Sequence, residues 1–169
     1  NLKEPDGLKI FFKLAESADV VIENYRPQVK YKLGIDYDEI YKINPKIIYA
    51  SISGFGQTGP YSNRPGLDQI AQGMGGHMSV TGPGGSGPWR SGTAISDLTA
   101  GILTANGILI GLLERAKSGK GQWLHTSLLE AQVFLMDFQA ARWLVAGEVP
   151  PQEGNNHPTF VPMGTFKTK

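Results

Sequence analysis

Lys46-Ile47-Ile48-Tyr49-Ala50-Ser51-Ile52-Ser53, followed at once by Gly54-Phe55-Gly56, is the stretch that decides the fold. Its apolar side chains fall on consecutive positions as well as alternate ones. A strand covered on both faces has that look, and such strands belong to parallel sheets. Upstream, Ala18 to Ile22 is a second short apolar run rich in valine, ended by Asn24 and Pro27. Between the two runs, Tyr31, Leu33, Tyr37, Ile40 and Ile43 fit one or two short helices broken at Gly34. Before both, Pro5 near a first turn and Leu8, Phe11, Phe12 and Ala15 on one face predict another helix. Helix and strand alternate, so the predicted fold class is α/β with a parallel sheet.

Beyond Ser53 the texture changes. Gly54, Gly56, Gly59, Pro60, Pro65 and Gly66 mark a long loop, with a short helix expected around Gln69 to Gly73. Gly82 to Gly92 holds five glycines and two prolines, the composition of a linker or a functional lid. Ser96 reads as the N-cap of the next helix and Gly119 as its end. Within that helix, Leu98 to Leu113 carries no charge but includes Thr99, Thr104 and Asn106. The run falls short of the roughly 18–20 residues of a bilayer crossing, so a buried core helix is expected. Gln122 to Thr126 reads as a strand, Leu128 to Val145 as one helix, and Pro150 to Pro162 as irregular.

Composition limits the chemistry. The 169 residues include 40% hydrophobic side chains, enough for a core, and a net charge of +1, which argues against a surface that coats nucleic acid. With no cysteine, a disulfide scaffold, a thiolate metal site and a cysteine nucleophile are excluded within this stretch. The same feature agrees with a cytoplasmic or organelle-matrix location. Both ends read as cuts within a longer chain, since Asn1 is not an initiator and Thr165 to Lys169 resembles a strand entering a turn.

Few residues are candidates for chemistry. Asp97 directly follows the expected cap, where the helix dipole and free N–H groups favour an ionised carboxylate able to attack an acyl carbon. First-turn aspartates are also common in helices that catalyse nothing. Asn24-Tyr25-Arg26 lies at a strand end, where ligands of open α/β sheets gather. Tyr25 could stack on an adenine, and Arg26, Lys30 and Lys32 could meet phosphates; a solvated basic turn has the same composition. Ser53 to Pro60 matches no phosphate-loop fingerprint and is better explained by a tight backbone turn. His77, His125 and His157 lack metal-ligand spacing, and no metal is expected. Neither Ser53 nor Ser79 sits in a nucleophile elbow. Gly107 and Gly111, four apart, permit close packing of their helix. Arg90, on the glycine-rich loop, could meet a dicarboxylate or simply face solvent.

Taken in order and spacing, Ala18 to Pro27, Ile48 to Pro60, Arg64-Pro65-Gly66, Asp68, Ser96 to Gly101, Ser118 to Gln122 and Gly147 to Pro151 resemble the family III CoA-transferases. These include formyl-CoA transferase, carnitine CoA-transferase and the 2-methylacyl-CoA racemases. The resemblance implies a Rossmann-like large domain, here incomplete, from a parent that forms an interlocked homodimer. Residues 1–149 would be the central part of the CoA-binding large domain, and 150–169 the start of the linker to a small domain.

The resemblance further implies that Asp97 is the catalytic nucleophile, forming acyl anhydride and aspartyl-CoA thioester intermediates. Lys3, Asn24, Tyr25, Arg26 and Lys32 would line the nucleotide end of coenzyme A, which is a substrate here and not a bound cofactor. Arg64, Pro65, Gly66 and Leu67 would lie along the pantetheine, with Asp68 near the reacting carbonyl. The implied partners are an acyl-CoA and a carboxylic acid. One departure bears on the alternatives: the family's racemases carry a histidine where this chain has Leu67, and leucine cannot move a proton. An isomerase acting at the α-carbon is therefore disfavoured, and a CoA-binding module without turnover is the reading from another class.

Overall fold

In the computed structural model, which describes residues 1–169, three parallel strands form one sheet flanked by helices. The order is β1 (Val20–Glu23), β2 (Ile48–Ser53), β3 (Gln122–Ser127), with β2 in the centre. The register pairs Val20 with Ile48 and Gln122, and Glu23 with Ser51 and His125. As the continuous apolar run requires, β2 is buried on both faces. Tyr49 points to one side, into a core with Ala15, Ile40 and Ile47. Ile52 points to the other, against Ala71, Ala100, Leu128 and Ala131.

The first core lies under α1 (Pro5–Ala15) and α3 (Tyr37–Ile43). Between them runs α2 (Pro27–Leu33), closed by Gly34 at φ 65°, so the expected break at that glycine is present. Asp36 caps α3 by accepting from the backbone N–H groups of Asp38 and Glu39. The second core lies under α4 (Asp68–Met74), α6 (Ile95–Ser118) and α7 (Leu128–Leu135), and the four-residue α5 (His77–Val80) follows α4 outside it. The direction of α6 decides which end of the sheet its aspartate reaches. Its last turn is tied to the sheet's N-terminal end, where Arg115 donates to the carbonyls of Asp19 and Lys46 and pairs with the Asp19 carboxylate at 2.7 Å. Its first turn, carrying Asp97, therefore sits at the end where the strands finish.

Three expectations are corrected. The helix predicted from Leu128 to Val145 is two, because α7 stops and α8 (Asp137–Ala146) restarts after Asp137 adopts a φ of 45°. Ser96 is not a cap: α6 begins at Ile95, and Ser96 is fully buried with its hydroxyl donating to Gln132 Oε1. Nor is α6 buried all round. It runs 24 residues, long and apolar enough to cross a membrane, but only a narrow stripe of small or polar residues faces the sheet. Gly107 and Gly111 lie on that stripe, where a Cβ would stand 3.4 Å from Leu124 and 3.3 Å from Ile48. Leu98, Ile102, Leu109, Ile110 and Leu113 are each about 60–70% exposed. Large side chains could not fit between helix and sheet, so they point away from both.

Pro150 to Lys169 contains no helix or strand. It folds back on the glycine-rich loop, where Gln152 Nε2 donates to the carbonyls of Thr81 and Gly87 and Gly154 N–H donates to Gly82.

Candidate active site

The strands β1, β2 and β3 end at Glu23, Ser53 and Ser127, and the loops after β1 and β2 converge there with the start of α7. This is the end of an open parallel sheet at which ligands bind. A pocket of about 260 Å³ is lined by Asn24, Ile52, Ser53, Gly54, Gly66, Leu67, Asp97 and Leu128. Beside it, and sharing Asn24, Ser53, Gly54 and Gly66 with it, a second of about 220 Å³ is lined also by Tyr25, Arg26, Pro27, Arg64 and Pro65. The two form a continuous cleft with Asp97 at one end and two arginines at the other.

Eight of the residues singled out in the sequence meet in this cleft: Asn24, Tyr25, Arg26, Arg64, Pro65, Gly66, Leu67 and Asp97. Lys3 and Lys32 are exposed and line neither part. Lys30, grouped with the basic residues expected to meet phosphates, is instead fully buried and ion-paired with Glu23 at 3.0 Å. Its helix turns it under the sheet end, away from the solvent that Arg26 faces.

The middle of the cleft depends on two glycines. The backbones of Gly54 and Gly66 cross so closely that a Cβ on Gly54 would lie 2.4 Å from the Gly66 Cα, and the converse contact is equally short. Gly56 and Gly59 have φ of 91° and 88°, the left-handed region that favours glycine. The Gly54–Pro60 segment is therefore a tight turn, as its composition predicts. Arg64 is held with its guanidinium 4.1 Å above the Tyr61 ring, and Tyr61 packs edge-on against Phe55.

At the other end, Asp97 is exposed on the pocket wall while its surroundings are firmly fixed. Asp68 supplies the cap that Ser96 does not, since its Oδ1 accepts the Ser96 backbone N–H at 2.8 Å. Its other oxygen accepts from Gln72 Nε2 at 2.7 Å. Gln72 is fully buried; its Oε1 accepts from Ser91 N–H and its Nε2 also reaches the Thr93 carbonyl. Ser91 Oγ lies 2.6 Å from His77 Nε2. The helix dipole alone would hold Asp97 ionised, but desolvation by the packed wall, and then the Asp68 charge, raise its pKa from the ordinary aspartate value. A carboxylate poised in this way is easier to protonate and, when ionised, a stronger nucleophile. Burial lowers the His77 pKa against the opposing Asp68 charge, which leaves the imidazole neutral near pH 7.

Gln72, His77 and Lys30 were not recognised from sequence as parts of this architecture. The Asp68–Gln72 pair has a legible signal, its i, i+4 spacing at a helix start. His77 has none, because its partner Ser91 lies across an irregular loop.

CoA-transferase family III matches the chain across residues 1–169. The chain is 43% identical over 169 residues to succinyl-CoA:glutarate CoA-transferase of Mus musculus, covering 100% of this chain and 39% of that protein. It is 39% identical over 170 residues to acetyl-CoA:oxalate CoA-transferase of Acetobacter aceti, covering 100% of this chain and 44% of that one. The crystal structure of a CAIB/BAIF family protein from Brucella suis superposes with a TM-score of 0.93 at 38% identity, over 99% of this chain and 44% of that chain. The chain thus spans about two fifths of the length of the relatives it matches.

Proposed function

This chain belongs to CoA-transferase family III, and from that premise we propose that the full-length protein moves coenzyme A from an acyl-CoA donor to a carboxylic acid through Asp97. The observation that carries the reading is an exposed first-turn carboxylate at one end of a cleft whose far end presents Tyr25, Arg26 and Arg64. That polarity suits a ligand with a reactive thioester at one end and an adenine with phosphates at the other.

In the proposed sequence, the Asp97 carboxylate attacks the thioester carbonyl and the C–S bond breaks, giving a mixed anhydride and CoA thiolate. The thiolate then attacks the aspartyl carbonyl, releasing the donor acid and leaving a thioester on Asp97. The acceptor carboxylate attacks that thioester, and the expelled thiolate attacks the acceptor's carbonyl in the new anhydride. This frees Asp97 and forms the product acyl-CoA. Covalent catalysis divides one poorly matched exchange into steps that each expel a competent leaving group. Because the names of the mouse and Acetobacter relatives pair an acyl-CoA with glutarate or oxalate, we extend a dicarboxylate acceptor to this protein as well.

Residues 1–149 are assigned to the CoA-binding large domain and 150–169 to the start of a linker, and the full-length protein to a homodimer. Leu67 lines the pocket next to Asp97 and carries no exchangeable proton, which favours transfer over isomerisation. The test is full-length Asp97→Ala together with hydroxylamine trapping of the parent. Loss of transfer by about 10³-fold or more and an aspartyl hydroxamate at position 97 are expected. Transfer at the parental rate would overturn the mechanism, and CoA binding with no thioester exchange in the parent would leave only a binding module.

A further inference from the structure

Behind the cleft, Lys30 is enclosed as few lysines are. It is fully buried, and Glu23 is only 6% exposed. The ammonium donates to Glu23 Oε1 at 3.0 Å, to Ser51 Oγ at 3.1 Å and to Gln57 Oε1, and it sits 4.9 Å from the centre of the Trp123 ring. A buried ion pair is a weak source of stability, because desolvating both charges offsets their attraction. Its geometry suggests another use. On one side, Glu23 Oε2 accepts the backbone N–H of Tyr25 at 2.8 Å, which fixes the loop after β1. On the other, Gln57 Nε2 donates to Ser53 Oγ at 3.3 Å, which fixes the loop after β2. Both loops line the cleft, Asn24 to Pro27 as one wall and Ser53 and Gly54 as part of another.

We infer that Lys30, fully buried, and Gln57, half-buried, form a strut that sets the separation of the two cleft walls, and so act as positioning residues for the nucleotide half of coenzyme A. This rests on the cleft's being the coenzyme A site. Neither residue touches the ligand: the chain of contacts runs Tyr25 N–H, Glu23, Lys30, Gln57, Ser53. Each contact is directional, and those of Lys30 with Glu23 and Ser51 are buried, so the walls are held before the ligand arrives and less ordering is needed on binding.

Gln57→Ala in the full-length protein is the informative variant, because it cuts the strut while leaving Lys30 paired with Glu23 and Ser51. Calorimetric titration with free coenzyme A should show about five- to tenfold weaker binding, the scale of one hydrogen bond. The KM for acyl-CoA should rise in parallel, with kcat and the KM for the acid within about twofold. Lys30→Met, if it folds, should weaken binding no further when added to Gln57→Ala, since both cut the same connection. Unchanged coenzyme A affinity in Gln57→Ala overturns the strut, as does an equal loss in both KM values, which would mark general loosening. A parent protein that fails to bind coenzyme A at all would instead refute the assignment of the cleft.

Discussion

Asp97 and Asp68 show how two acidic residues near one another are given different work. Asp68 has both oxygens engaged, one on the first turn of α6 and one on Gln72, whereas Asp97 faces the pocket. The raised pKa of Asp97 has two consequences of known sign. The proposed transfer needs the ionised form, so the rate should fall with decreasing pH through a pKa raised from the ordinary aspartate value. Asp68→Asn keeps an acceptor for the Ser96 N–H but removes the nearby charge; neutral His77 supplies none. The acid limb of kcat/KM should then move to lower pH, and an unmoved limb would show that the Asp68 charge does not act on Asp97. The second consequence is for stability. A carboxyl whose folded pKa exceeds its unfolded value destabilises the fold once pH is above both, and this penalty disappears below the unfolded pKa. Asp97→Asn should therefore unfold at the same or a higher temperature than the parent at pH 7, with the difference fading in acid. A lower melting temperature at pH 7 would contradict the direction of the shift.

At the level of elements, what placed Asp97 was the direction of α6, anchored by Arg115 at one end and capped by Asp68 at the other. The crossing of Gly54 and Gly66 does the equivalent for the cleft floor. Gly54→Ala would force a Cβ to within 2.4 Å of backbone, with no flexible side chain to yield. A loss of about 1–3 kcal/mol is expected, seen as a lower melting temperature, together with loss of coenzyme A binding. Retained stability and binding would mean that the two backbones separate easily. Sequence period and turn residues sufficed for the three strands and for α1 to α4, because each of these is dictated locally by its own residues. They failed where a distant residue decides. The start of α6 is set by Asp68, 28 positions from Ser96. The break between α7 and α8 follows from the left-handed φ of Asp137, which aspartate tolerates but does not demand. The eight cleft residues were legible through resemblance and strand-end position. The burial of Lys30 was not, since it depends on Gln57 reaching back from the next loop.

Over the molecule as a whole, apolar surface is distributed unevenly. Helices cover both faces of the sheet, yet the outward side of α6 presents Leu98, Ile102, Leu109, Ile110 and Leu113, and Ile22 is exposed on the β1 edge. On α7 and α8, Val133, Phe134, Trp143 and Leu144 are exposed as well. Contiguous apolar surface of this kind promotes association in a soluble monomer. The charge balance offers little to oppose it, because a net charge of +1 gives almost no repulsion between copies. Residues 1–169 expressed alone should consequently self-associate in a concentration-dependent way and bind a hydrophobic dye, both measurable by light scattering and fluorescence. Replacing Ile102 and Leu109 together by Lys leaves the sheet-facing stripe of Ala100, Thr104, Gly107 and Gly111 untouched, so it should return the segment towards a monomer without unfolding it. If the parent segment is monomeric and dye-silent at tens of micromolar, the outer face of α6 must be covered by a rearrangement within these 169 residues, and the packing of α6 through its small-residue stripe would be wrong.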